Sequence, residues 1–136
     1  MLWHKLNKFA QTTETTKRST KTLGDSWELY AEHYLIDNGL SLLTKNFHSR
    51  QGEIDLIMKD DDCLVFVEVK YRKNNHFGGA ISAVTQQKQQ KIIKTAIFYL
   101  QQQNLNEYNT ACRFDIVAIE GDTNNPTIHW LKNAFS

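Results

Sequence analysis

The sequence predicts an α/β fold with a central mixed β-sheet flanked by two main helices. Three observations carry this. Residues 23–38 and 85–103 repeat apolar side chains at helical spacing. Five shorter runs are rich in β-branched and aromatic residues and are bounded by turn residues. The resulting order, α-β-β-β-α-β-β, implies a mixed sheet.

The N-terminal 22 residues read as a basic, Thr-rich, flexible extension, with Lys5, Lys8, Lys17, Arg18 and Lys21 set against Glu14 alone. Leu2, Leu6, Phe9 and Ala10 allow a short amphipathic turn, and the arm could add attraction to phosphates. The remainder, 23–136, reads as one domain. Its first helix, Leu23 to Asn38, has Leu23, Trp27, Ala31, Tyr34 and Leu35 as the apolar stripe, Gly24 or Asp25 as the cap and Gly39 as the stop. Glu28 lies at the edge of that stripe, while Glu32 reads as solvated. Strands follow at Leu40–Phe47, Glu53–Met58 and Cys63–Tyr71, the last two joined by Lys59-Asp60-Asp61-Asp62. That Asp cluster lacks the Gly and terminal Glu of a calcium loop and reads as a turn. Arg72 to Gly79 is a polar loop placed to act as a flap or a plain connection. The second helix, Thr85 to Gln103, turns Val84, Ile92, Ile93, Ala96, Ile97 and Leu100 inward and Lys88, Lys91 and Lys94 to the other side, a solvated face from which Lys88 alone, nearest the end of the charged strand, is a candidate contact. Strands at Cys112–Ile119 and Thr127–Leu131 close the chain, with Asp115 inside the apolar run of the first.

With 136 residues, 40% of them hydrophobic and 23% charged, the chain is sized and composed for a single globular domain. A net charge of +1 does not announce nucleic acid, so any basic surface must arise from local asymmetry. Cys63 and Cys112 read as buried reduced thiols. No apolar run is long enough to span a bilayer and no secretory leader is evident, so a cytoplasmic protein without membrane contact is expected. The five histidines lack metal-ligand spacing. No phosphate-binding or dinucleotide glycine pattern and no hydrolase elbow occurs, so no small-molecule cofactor is expected.

The informative anomaly is charge inside buried strands. Gly52-Glu53-Ile54-Asp55-Leu56-Ile57 and Val65-Phe66-Val67-Glu68-Val69-Lys70 should be apolar, yet each carries charge in its middle. Unpaired buried charges cost several kcal/mol or more, so these need partners or a metal. Alternation puts Glu68 and Lys70 on one face, about 6.6 Å apart along the strand. If the two strands pair as a hairpin, Asp55 falls beside Glu68, about 4–5 Å away. Mg²⁺ suits two such carboxylates, because it keeps several waters and accepts phosphate oxygens. A neighbouring lysine could orient or deprotonate water. That chemistry is phosphodiester hydrolysis; a buried carboxylate–lysine pair that only stabilises the sheet fits the same residues.

Four blocks in order, Glu28-x-x-Ala31-x-x-Tyr34-Leu35, Gly52-Glu53-Ile54-Asp55-Leu56-Ile57, Val65-Phe66-Val67-Glu68-Val69-Lys70-x-Arg72 and Ala83-Val84-x-x-x-Lys88, resemble the YraN family of predicted endonucleases. That family is similar to archaeal Holliday-junction resolvases and has the restriction-endonuclease-like fold with a PD-(D/E)xK core. The resemblance covers about Leu23 to Ile119; Ile54 stands where the named motif has Pro. It implies a Mg²⁺- or Mn²⁺-dependent DNA endonuclease acting on branched or single-stranded DNA. Asp55, Glu68 and the Val69 carbonyl would be metal ligands, Lys70 the catalytic lysine and Glu28 the helix-borne acid completing the metal shell. Arg50, Arg72 and Lys88 would contact phosphates. Resolvases cut two strands as symmetric dimers, so a homodimer is in keeping with the resemblance. The rival readings are a non-catalytic nucleic-acid-binding module with the same basic rim and a scaffold whose inner charges pair with one another.

Overall fold

The computed structural model describes residues 20–74 and 79–136, with side chains from Ser26 onward in the first helix. The expected amphipathic turn near Phe9 and most of the basic extension lie outside the described residues, as do His76 and the middle of the Arg72–Gly79 loop. The elements are α1 (Thr20–Asp37), β1 (Ser41–Ser49), β2 (Gly52–Asp60), β3 (Cys63–Arg72), α2 (Gly79–Ser82), α3 (Gln86–Gln102), β4 (Cys112–Glu120) and β5 (Thr127–Phe135). The strands form one five-stranded sheet in the order β1-β2-β3-β4-β5. Only β3 and β4 run parallel; the other pairs are antiparallel. This is the α/β, mixed-sheet architecture expected, and it is compatible with a restriction-endonuclease-like fold.

Each helix covers one face. On one, Ala31 and Leu35 of α1 pack on Leu56, Met58, Val65, Val67, Val69, Val117 and Ile119. On the other, Ile92, Ala96, Tyr99 and Leu100 of α3 pack on Ile54, Ile57 and Phe66. Each fully buried Leu, Ile, Val, Met or Phe among them contributes about 1.5–3 kcal/mol of transfer free energy. Within α3 the inward face is Ile92, Thr95, Ala96, Tyr99 and Leu100, while Ile93 and Ile97, expected inside, are only half-buried. Thr95 can be interior because its hydroxyl donates to the Lys91 carbonyl one turn back, at 2.8 Å.

Several boundaries differ from expectation. The first helix begins at Thr20, so Gly24 and Asp25 lie inside it and neither caps it. Adding a turn to a nucleated helix is cheap, and an interior glycine costs only about 1 kcal/mol. Glu32 is not solvated: it is 8% exposed and pairs with Lys45 of β1 at 3.3 Å. Cys63 and Cys112 are free but half-buried rather than buried. The one-turn helix α2 was not expected. It is held by the Ala80 N–H, which donates to Glu120 Oε2 at 3.0 Å, and by burial of Ala80 and Val84 on Ile116 and Ala118. Strand β5 runs four residues past Leu131, to Phe135, because the ladder shifts register between Phe114 and Ile116. There the Asp115 carboxylate accepts the Asn133 N–H at 2.9 Å in place of a backbone partner.

The feature that shapes the candidate site is a fork in the sheet. Residues Leu56–Asp60 of β2 pair with Cys63–Val67 of β3, and the pairing stops at Leu56↔Val67. Before that point β2 pairs only with β1 (Ile54, Glu53 and Gly52 against Phe47, His48 and Ser49), and beyond it β3 pairs only with β4. Asp55 and Glu68 are the first residues past the split.

Candidate active site at the sheet fork

Continuing the ladder by one step sets Asp55 opposite Glu68, as the hairpin reading of the sequence requires. The backbones have parted there, and the Asp55 side chain fills the gap: its Oδ2 accepts the Val69 N–H at 2.8 Å. A strand residue's N–H and C=O leave on the same side, so the Val69 carbonyl also faces the fork.

Four charged groups meet at this point. Glu68 is 3% exposed, and its Oε2 receives Lys88 Nζ at 2.6 Å and Lys70 Nζ at 3.9 Å. Asp55 is half-buried, and its carboxyl is held well above the usual range. Burial is the main cause; the Glu68 charge adds to it, the Val69 N–H opposes it, and the charge of Glu28 raises it further. Lys70 is pushed below its ordinary value by burial and by the Lys88 ammonium beside it, against the pull of Glu68 and Asp55. Lys88 shifts the other way: burial lowers it, but the contact with Glu68 prevails and raises it.

Glu28 rides on α1, which covers the opposite face from α3, yet its charge acts on Asp55. Where the strands part, the sheet no longer separates its two faces. The helix is fixed there by Trp27, which stacks on Tyr71 of β3 with ring centres 4.4 Å apart and planes 8° from parallel. The Tyr71 hydroxyl in turn donates to the Gly121 carbonyl at 2.6 Å, tying α1, β3 and the β4–β5 turn together.

The structure thus brings Asp55, Glu68, Lys70 and Lys88 together, with Glu28 within electrostatic reach. Arg50, in the two-residue β1–β2 turn, and Arg72, at the end of β3, are exposed and stand outside the cluster. From the sequence, Lys88 is the one lysine of its helix face close enough to the end of the charged strand to be a candidate contact, and the resemblance makes it a phosphate contact; the structure instead puts its ammonium on Glu68. A cavity of about 360 Å³, lined by Gly52, Glu53, Thr85, Gln87, Lys88, Lys91 and Ile92, opens beside the cluster.

Asp115, the other charge within an apolar run, behaves differently. It is fully buried, and its two oxygens receive Arg113 Nε at 3.1 and 3.2 Å, Trp130 Nε1 at 2.9 Å and the Asn133 N–H at 2.9 Å. Arg113 also pairs with Asp60 at 3.0 Å. Every lone pair of consequence on Asp115 is used, so it holds β4 to β5 and offers nothing to a ligand.

The residues at the fork suit a hard divalent cation. All the donors are oxygens, two carboxylates are forced together, and a lysine ammonium already serves Glu68 as counter-ion. Among the described residues, no three His, Cys, Asp or Glu side chains form a metal cage by themselves. The match is therefore to an ion such as Mg²⁺, which takes one or two carboxylates and fills its shell with water and substrate oxygens.

Fold and site together define a forked mixed-sheet α/β domain with a carboxylate–lysine centre where the strands separate. The chain belongs to the Uncharacterised protein family UPF0102, the YraN family, whose model matches residues 27–119. A UPF0102 protein of Colwellia psychrerythraea is 53% identical over 99% of this chain and 100% of its own length. Relatives from Enterobacter sp. (strain 638) and Aliivibrio fischeri are 47% and 45% identical, covering 88% and 87% of this chain and 88% and 94% of theirs. Among solved structures, Pyrococcus furiosus SfsA in complex with Ca²⁺ overlays at a TM-score of 0.36 with 10% identity, over 84% of this chain and 64% of that one. That overlay is too loose to bear on the fold or the site. None of the helices described is long and apolar enough to cross a membrane.

Proposed function

We propose that this protein is a divalent-metal-dependent DNA endonuclease that hydrolyses phosphodiester bonds, with branched or single-stranded DNA as its substrate. The observation that carries the reading is the pairing of Asp55 and Glu68 at the fork, with Lys70 on the same carboxylate oxygen as Lys88. Asp55, Glu68 and the Val69 carbonyl would hold Mg²⁺ or Mn²⁺, and Glu28 adds negative charge from its helix. The bound cation supplies charge neutralisation at the scissile phosphate and activation of water.

The chain's own groups account for the rest. Lys70 Nζ, pushed towards its neutral form, is suited to take a proton from the attacking water. Asp55 keeps β2 and β3 open by satisfying the Val69 N–H that a continued ladder would otherwise use.

The Lys88–Glu68 contact leaves Glu68 neutralised without a metal and so keeps open a second reading, a non-catalytic nucleic-acid-binding module that uses the same basic rim. A cleavage panel separates the two. Linear, single-stranded, flapped and four-way DNA are incubated with Mg²⁺ or Mn²⁺ and wild-type or Asp55→Asn protein. The nuclease reading expects metal-stimulated cleavage of at least one substrate by wild type and none by the folded variant. Binding without cleavage supports the module, and cleavage retained in Asp55→Asn removes Asp55 from the chemistry.

A further inference from the structure

Lys88 faces two ways. Its ammonium sits 2.6 Å from Glu68 Oε2, and its stem lines the neighbouring cavity together with Gly52, Thr85, Gln87 and Lys91. Glu68 is 3% exposed, so it cannot give up a counter-ion without gaining another; an unpartnered buried carboxylate costs several kcal/mol. Lys70 does not serve as the replacement. It stands 3.9 Å from the same oxygen and is anchored on Glu68's own strand. Lys88 comes instead from the first turn of α3, with a side chain 38% exposed and room beside it.

We propose that Lys88 is a displaceable counter-ion: it neutralises Glu68 until a divalent cation does so, and then turns into the cavity to meet a backbone phosphate of the nucleic acid. This rests on the nuclease reading of the site and adds a consequence to it, that metal and DNA bind cooperatively. The cavity suits a phosphate. Lys88 and Lys91 border it, and it adjoins the N-terminus of α3, which carries no acidic residue in its first turn and is capped by Thr85, whose hydroxyl accepts the Lys88 N–H at 3.2 Å. Its one carboxylate, Glu53, is largely exposed to solvent and lies 3.1 Å from His48 Nδ1. With Lys88 on Glu68, one positive charge is withheld from this cavity. A cation at the carboxylates returns it, and by linkage a phosphate that draws Lys88 away must strengthen metal binding by the same factor.

The test is calorimetric titration of Mn²⁺ into wild-type, Lys88→Met and Lys88→Arg protein. Each is run alone and with a phosphorothioate oligonucleotide that resists hydrolysis, subtracting the heat of Mn²⁺ binding to the oligonucleotide. In wild type the oligonucleotide should tighten Mn²⁺ binding about tenfold, within the usual range of coupling between sites. Lys88→Met should bind Mn²⁺ about tenfold more tightly than wild type without DNA and lose the part of the coupling that Lys88 carries, while Lys88→Arg keeps it. A Lys88→Gln variant, with circular dichroism melting, guards against misfolding of the Met variant. If Mn²⁺ binds but Lys88→Met is no tighter, or retains full coupling, the exchange is wrong and the nuclease reading stands. If neither wild type nor Lys88→Met binds Mn²⁺, both fall.

Discussion

Asp55→Asn should make the metal-free protein more stable, not less. The amide keeps an oxygen for the Val69 N–H, now 2.8 Å from Asp55 Oδ2, so the bond is weakened rather than lost, at about 1 kcal/mol. Against this, the variant relieves repulsion from Glu68. Two like charges about 5 Å apart at an effective dielectric of about 20 repel by roughly 3 kcal/mol. Some attraction to Lys70 and Lys88 goes with the charge, leaving a net gain of about 1–2 kcal/mol. For a chain of this size that raises Tm by roughly 3–8 °C.

The pH dependence follows from the direction of the shift. The folded protein holds the Asp55 proton more tightly than the unfolded chain does, because burial and Glu68 raise its carboxyl. Wild-type stability therefore falls as pH rises from about 4, the ordinary Asp value, through the raised folded value, and levels off above it. The variant lacks that fall. Thermal melts in EDTA should show a small difference at pH 4 that widens as the pH is raised. An Asp55→Asn protein that melts several degrees below wild type at pH 8.5, or a difference that does not change with pH, would refute the charge-strain argument.

The other charges give contrasting expectations. Asp115→Ala leaves Trp130 Nε1 and the Asn133 N–H without their acceptor and Arg113 with Asp60 alone, and should cost about 3–5 kcal/mol in denaturant unfolding while leaving DNA binding by the surviving folded fraction unchanged. Gly52 has φ +150°, and a Cβ there would lie 3.3 Å from Thr95 Oγ1, so Gly52→Ala should lower stability by about 1–2 kcal/mol in the same assay. Arg50→Ala and Arg72→Ala should leave melting unchanged; if these exposed arginines meet phosphates, each should flatten the log–log salt dependence of DNA affinity by about 1.

Much of this geometry is local, and so legible in the chain. Alternation along β3 puts Glu68 and Lys70 on one face, and the two-residue turn Asp61-Asp62 fixes the hairpin register that brings Asp55 to Glu68. What separates a strained charge from a settled one is not local. Asp55 and Asp115 look alike in sequence, each an aspartate within an apolar strand. Asp115 finds Arg113, Trp130 and Asn133, the last 18 residues away, while Asp55 finds one backbone N–H and another carboxylate. The fork is equally hidden, because beyond Val67 β3 is held by β4 alone, a partner more than 40 residues further on. Glu32 reads as solvated because its partner, Lys45, lies on the next element. The extent of β5 and the turn of α2 depend on side chains of β4, Asp115 and Glu120, acting as backbone partners, which no periodicity reveals.

The most direct test of the fork as a cation site is anomalous scattering from crystals soaked in Mn²⁺. A peak bonded to carboxylate oxygens of both Asp55 and Glu68, at about 2.1 Å as expected for a hard octahedral ion, with the Lys88 ammonium withdrawn from Glu68, is the predicted result. Soaked crystals with no such peak, and with Lys88 still on Glu68, would leave the cluster an internal ion pair and the proposed hydrolytic chemistry without a centre.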